Sequence, residues 1–230
     1  MRRVHAFFPS LCLLILHAVP VMAANPQDDV FDLDNLRVKI TPQLPYMVVK
    51  HEGKPVTLMR HQDIEHSVEA PFHLTARDCP PFCVQPMSLH SAVETIGELE
   101  LMEFLKRVSN GDESVLVVDS RTPDFVEAGS IPGAMNIPYT QLLPEQTKPQ
   151  DIAELLQFEF NAGFNDGLWD FSAAKTLVMF CNGPWCGQSP TNIKALLKLG
   201  YPPERIKWYR GGMQAWEQFG LTTVKPEKTD

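Results

Sequence analysis

The chain has 230 residues, 44% of them hydrophobic, and carries 28 acidic against 20 basic side chains for a net charge of −8. That length suffices for one large domain, or a small one followed by a medium one, with a well-buried core. The acidic balance excludes nucleic acid as a natural partner, although a loop of backbone N–H groups can still capture a small anion against that field.

At the N-terminus, Arg2 and Arg3 precede an apolar stretch, LCLLIL, and then AVPVMA, which ends in small residues suited to cleavage after Ala23. Residues 1–23 read as a secretory signal peptide. Pro9, His17 and Pro20 interrupt the run, so a retained membrane anchor is the weaker reading. Cys12 lies inside the leader, away from any lipidation position. Removing the leader leaves 18 basic against 28 acidic residues, a net charge of −10. The expected localisation is the periplasm.

Residues 24–93 form the next unit, with eight prolines and the histidines His51, His61, His66, His73 and His90. RVKI, YMVVK and PVTLM have strand character and HEGK is a turn between the last two, so the expectation is a small β-rich region. It contains Cys79 and Cys83 in DCPPFCVQP. In an exported protein such a pair favours a structural disulfide; with Met87 and His90 nearby, soft ligation of Cu(I) or a part in a sulfur relay is the alternative. The histidines show no metal-ligand spacing, and neither metal nor cofactor is expected.

From residue 94 helical and strand patterns alternate, and the boundary is placed between Met87 and Glu94. In ELELMEFLKRVSNG, Leu101, Phe104, Leu105 and Val108 follow helical spacing and Gly111 is a stop signal. VLVVD (115–119), AMNIP (134–138), TLVMF (176–180) and IKWY (206–209) read as strands, the first suited to burial on both faces. About 35 residues between IPY and TLVMF read as an ordered insertion, with a helix near Ile152 to Phe160 and a Gly-rich turn, NAGFNDGLWD. Past TLVMF, Ser189 is a good N-cap and Pro190 a good first residue for a helix on which Ile193, Leu196 and Leu197 share a face.

That helix begins at CNGPWC, which carries Cys181 and Cys186. A free thiol has a pKa near ~8.5, and converging N–H groups at a helix N-terminus lower it to roughly 3.5–7.5. Cys181, at the end of a buried strand, is expected to feel this effect more directly than Cys186 and is the candidate nucleophile. No histidine follows Ile96, so a Cys–His hydrolase is improbable. Sulfur transfer and thiol–disulfide exchange remain, since each needs only an accessible thiolate and a leaving group.

VLVVDSRTPDFVEAGSIPGAMNIPY, LVMFCNGPWCGQSP and GYPPERIKWYRGGMQAWEQFGL, in this order and spacing, resemble a rhodanese domain over residues 94–222, with residues 223–230 as a polar tail. The resemblance implies an α/β fold, a doubly wound parallel sheet with flanking helices, here preceded by the small β-rich unit. It places the family's reactive cysteine at Cys181, which would hold a sulfane sulfur from thiosulfate or a persulfide donor and pass it to a thiophilic acceptor. The loop lacks the arginine or lysine that many members carry, Ser130 stands at a usual histidine, and Gly187 occupies the position where phosphatase relatives need arginine.

Anion binding therefore falls to the backbone of Asn182, Gly183, Gly187, Gln188 and Ser189, with Trp185 as a pocket wall or a cover for the helix end and Arg121 and Arg210 as helpers. Asp119 and Arg121 also read as residues that fix the loop. Cys186 is a resolving thiol, a partner in a resting disulfide, or half of an inert staple. The expected function is a periplasmic sulfurtransferase acting through a Cys181 persulfide. Its alternatives are a redox protein cycling Cys181 and Cys186, and a catalytically silent binding module. Expected partners are a small sulfur-containing anion or persulfide donor and a periplasmic thiol or redox protein, with no stable membrane anchor.

Overall fold

The structure, a computed structural model, describes residues 32–226 apart from Glu69 and Pro71; the expected leader with Cys12 lies outside the described residues. Among the described residues no helix is long and apolar enough to cross a membrane.

In chain order the elements are β1 (Met47–His51), β2 (Lys54–Leu58), β3 (Glu94–Ile96), α1 (Glu98–Ser109), β4 (Val115–Asp119), α2 (Pro123–Val126), β5 (Met135–Asn136) and α3 (Pro149–Glu154). They continue with β6 (Gly163–Asn165), β7 (Leu168–Asp170), β8 (Thr176–Phe180), α4 (Gln188–Lys198), β9 (Ile206–Tyr209) and α5 (Gly212–Gln218). Five strands make one parallel sheet in the order β3-β9-β8-β4-β5.

Alternation along the central strands explains why both sheet faces need cover. Leu116, Val118, Leu177, Met179, Ile206 and Trp208 share one core with Ile193 and Leu196 of α4 and Leu156 and Phe160 of the insertion. Val115, Val117, Val178, Phe180 and Tyr209 turn the other way, into a core with Leu101, Met102 and Leu105 of α1 and Met213 and Trp216 of α5. Each fully buried large apolar side chain adds roughly 1.5–3 kcal/mol over its exposed state. This is the doubly wound sheet with helices on both faces that the sequence leads one to expect.

Several local expectations are corrected. RVKI is not a strand: residues 37–40 form bends, with Gln62 accepting from the N–H groups of Arg37 and Val38. The AMNIP strand shrinks to Met135–Asn136. NAGFNDGLWD holds a hairpin, β6 against β7, turned by Asp166 and Gly167, both at positive φ, as a two-residue Asp-Gly turn requires. The helix near Ile152 starts at Pro149 and continues as a π-helical stretch over Leu155–Glu159.

The region 33–93 has no core of its own. Its hairpin buries Val49 and Leu58, together with Phe72, in the α1/α5 core. Residues 33–93 therefore belong to the same compact unit as the sheet, because a two-stranded hairpin cannot bury a hydrophobic face by itself. The expected polar tail also starts as a clip: Ser130 and Val224 exchange backbone hydrogen bonds at 2.8 and 2.9 Å, and Thr222 Oγ1 accepts from the Met59 N–H.

Candidate active site

In an open parallel sheet, ligands bind at the carboxyl ends of the strands where the winding direction reverses. Here that point lies between β4, whose chain moves outward to β5, and β8, whose chain moves the other way to β9. Asp119, Ser120 and Arg121 follow β4, and Cys181 follows β8, so both segments meet in this crevice.

The β4 end is a polar clamp. Asp119 and Arg121 are 0% and 1% exposed and form an ion pair at 2.6 Å. Arg121 Nε and Nη2 donate to the Asp119 carboxylate, Nη2 also to the Gly129 carbonyl, and Nη1 to the Phe125 carbonyl and Asn182 Oδ1. A guanidinium has five N–H donors, and these partners occupy all of them. Arg121 is thus a loop-fixing residue with no donor left to grip an anion. Ser130, at the position where the resemblance leads one to expect histidine, donates its hydroxyl to Asp119 at 2.7 Å.

The β8 end carries the thiols. The Cys186 N–H donates to the Gly183 carbonyl at 2.9 Å, closing a turn that folds Cys186 back toward Cys181. Both cysteines are free thiols, 2% and 4% exposed, and the Cys181 thiol donates to the Cys186 carbonyl at 3.5 Å. Below the loop, the Met213 and Gln214 N–H groups of α5 donate to the Cys181 and Asn182 carbonyls. This approach demands glycine at position 212, where φ is +56° and a Cβ would stand 2.3 Å from the Cys181 oxygen.

Helix α4 begins two residues earlier than expected, at Gln188 with Gly187 as its N-cap. Ser189 is not the cap because its hydroxyl is drawn elsewhere: it donates to Cys181 Sγ at 3.1 Å and accepts from Trp208 Nε1 at 3.1 Å. Indole, hydroxyl and sulfur form a fully buried chain.

The electrostatics reverse the expected ranking of the thiols. Burial pushes the Cys181 thiol well above its ordinary value, reinforced by the neighbouring Cys186 sulfur and only partly opposed by the Ser189 hydroxyl and N–H. Cys186 is lowered, first by the hydrogen bond from Cys181, then by the Gln188 and Asn182 N–H groups and by Arg121. Of the two, Cys186 is the thiol that ionises more readily. The groups at the start of α4 and in the loop outweigh burial at Cys186 but not at Cys181, which lies deeper.

The other anticipated residues divide. Asn182 is buried against Arg121; Gly183 faces Gln214 and Trp185; Trp185 donates its indole N–H to Gln214 Oε1 at 2.6 Å. Gln188 Oε1 is buried with no hydrogen-bond partner. Arg210 donates through Nε to the Pro86 carbonyl and through Nη2 to the Gln85 carbonyl. Cys79 and Cys83 are disulfide-bonded, which ties up both sulfurs as ligands. Among the described residues no cluster of three or more His, Cys, Asp or Glu side chains is arranged to hold a metal. His61 and His66 stack on each other, and His51 accepts from the Gly133 N–H.

Sequence reasoning missed Trp208, Gln214, Ser120 and Asn192. Asn192 Nδ2 donates to the Ser120 hydroxyl, joining α4 to the β4 end. Polar residues at otherwise apolar helix and strand positions were the available signal, but partners this distant in sequence cannot be paired from it.

A family model described as the rhodanese-like domain matches residues 101–219, just over half of the chain. The chain belongs to the rhodanese-like domain family. The match begins within α1 and ends just past α5, so it takes in both the β4 clamp and the thiol loop. An HTH-type transcriptional regulator of Mycobacterium tuberculosis is 29% identical over 119 residues, 52% of this chain; the chain spans only 41% of that regulator's length. Among solved structures, a thiosulfate sulfurtransferase from Pseudomonas aeruginosa is 19% identical with a TM-score of 0.38, covering 59% of this chain and 21% of its own. A human single-domain sulfurtransferase is 24% identical with a TM-score of 0.35, covering 54% of this chain and 96% of its own.

Proposed function

We propose that this rhodanese-like protein is an exported, periplasmic sulfurtransferase in which Cys181 carries a sulfane sulfur as a persulfide. The reading is supported most by one observation: two free, buried thiols in the loop at the carboxyl end of a central parallel strand, with the Ser189 hydroxyl donating to Cys181 Sγ at 3.1 Å and the Cys181 thiol facing the Cys186 carbonyl. Cys181 holds the position of the family's reactive cysteine. In the form ionised at Cys186, the more readily ionised thiol, the Cys181 proton passes to the Cys186 thiolate, giving the Cys181 thiolate that attacks the outer sulfur of thiosulfate or a persulfide. Sulfite or a thiolate leaves, and Cys181–S–S⁻ remains.

Two discharge routes follow. An external thiophile takes the terminal sulfur, or the Cys186 thiolate attacks Cys181 Sγ, expels sulfide and leaves a Cys181–Cys186 disulfide. The test is intact mass after incubation of the reduced protein with each donor. The parent and Cys186→Ser gain one sulfur atom, Cys181→Ser gains none, and only the parent releases sulfide. Sulfur uptake by Cys181→Ser defeats the assignment.

The presence of two free thiols in one loop without a cationic side chain also favours a second reading, dithiol–disulfide cycling with a redox partner. That reading stands instead if no donor adds sulfur while the pair equilibrates with a thiol–disulfide buffer.

A further inference from the structure

The second cysteine pair lies against the first. Residues 77–87 form a strap over the outer edge of the thiol loop, and its contacts are specific. The Gln85 N–H donates to the Pro184 carbonyl at 2.8 Å, and the Arg77 guanidinium lies 4.7 Å from the Trp185 ring centroid. Phe82 meets the same indole edge-on at 5.1 Å, and Arg210 holds the strap's far end through the Gln85 and Pro86 carbonyls. The strap thus grips the loop at Pro184 and Trp185, between Cys181 and Cys186, both of which have almost no exposure.

The Cys79–Cys83 bond closes the ring from which Phe82 projects, and it stands between the two side chains that grip Trp185. Cys79, Pro80, Pro81 and Val84 are exposed, so this bridge is open to solutes while the loop thiols are not. One pair is accessible and oxidised; the other is buried and reduced.

We propose that the Cys79–Cys83 disulfide is a second thiol-reactive site, a latch that an external dithiol opens to admit sulfur donors to Cys181. The proposal rests on the sulfurtransferase reading for its purpose, but not for its chemistry. A thiolate of the dithiol attacks the bridge and forms a mixed disulfide with one strap cysteine while the other leaves as thiolate. The dithiol's second thiolate then displaces the first strap sulfur. Two electrons and two protons pass to Cys79 and Cys83, and the dithiol departs as a disulfide. Without the ring, Arg77 and Phe82 are no longer presented together to Trp185, and the loop edge at Pro184 and Trp185 opens more often.

The test uses the full chain with dithiothreitol as the dithiol and iodoacetamide as the probe, with site-resolved mass spectrometry of each cysteine. Dithiothreitol is expected to reduce Cys79–Cys83 while circular dichroism still reports the folded protein. Labelling of Cys181 and Cys186 is expected to rise about tenfold when the bridge opens. Cys79→Ser/Cys83→Ser is expected to label at the open rate without dithiol. Phe82→Ala, which keeps the bridge, is expected to raise labelling in the oxidised state. A bridge that resists reduction until the protein unfolds, or loop labelling indifferent to the bridge, overturns the latch. Sulfur uptake is scored separately: uptake at equal rates with the bridge closed and open also overturns it, whereas gated labelling with no uptake in either state leaves the latch standing and removes the sulfurtransferase reading.

Discussion

Cys181 and Cys186 lie five residues apart in a loop gripped by the β4 clamp, by the start of α5 and by α4, and they are buried dithiols. Cys79 and Cys83 lie four apart in a strap held by one edge, and they are an exposed disulfide. Spacing does not separate the two pairs. Their surroundings do: the loop's carbonyls are bound by α5 and its edge by the buried Arg121 network, whereas the strap depends on a covalent ring, contacts with one indole, and hydrogen bonds to Pro184 and Arg210. A segment tied down by a buried hydrogen-bond network can present a thiol, and a segment without one needs a bridge to hold its shape.

The sharpest way to break this contrast is at the clamp. Arg121→Met strands the Asp119 carboxylate in the core and is expected to cost about 3–5 kcal/mol in urea unfolding; a cost under about 1 kcal/mol would show that the network is not what holds the loop. Gly212→Ala places a methyl group against the Cys181 carbonyl and the Gly183 N–H, at a φ of +56°. A loss of about 3 kcal/mol is expected, with labelling of both loop thiols raised as the loop is displaced.

Ser189→Ala leaves the buried Trp208 N–H without its acceptor, an expected cost of about 1–2 kcal/mol. Because the Ser189 hydroxyl is one of the groups that lower Cys181, the alkylation profile of Cys181 should also move to higher pH. A profile that stays in place would remove the hydroxyl from the site's electrostatics.

The pH dependence sharpens the same point. Cys181 is raised on folding, so the stability its neutral burial contributes is fully present below the ordinary thiol value of about 8.5 and is lost as pH rises toward the folded value. Cys186 is lowered, so its contribution is present above the ordinary value and lost as pH falls through the folded one. Unfolding free energies from neutral to alkaline pH should therefore decline in the parent and decline less in Cys181→Ser. Equal slopes would mean that Cys181 is not held neutral.

Phe82→Ala tests the strap side of the comparison. With one half-buried ring contact removed, the expected cost is about 1 kcal/mol or less. A cost equal to that of Arg121→Met would make the strap part of the core and erase the distinction between the two regions.

Much of the α/β unit was legible in the chain because its signals are local. The apolar run of Val115–Asp119, the 3.6-residue spacing of Leu101 and Leu105 and the glycine stop at Gly111 each specify an element within a dozen residues. The cysteine loop between a strand and a helix was legible for the same reason. RVKI differs from its expected strand because β-branched residues fit a strand but do not supply a neighbour to pair with, and among the described residues no strand pairs with it.

What the sequence by itself determined was the alternation of elements, the family pattern and the placing of a thiol at a helix start. Only the tertiary structure decided which thiol ionises more readily, that Arg121 is consumed by its buried partners, that Arg210 holds the strap, and that CPPFC lies on CNGPWC. The reason is physical: pKa and donor occupancy depend on burial and on partners that lie far away in the chain. Gln85 and Arg210 stand 125 positions apart, and no local pattern records that they touch.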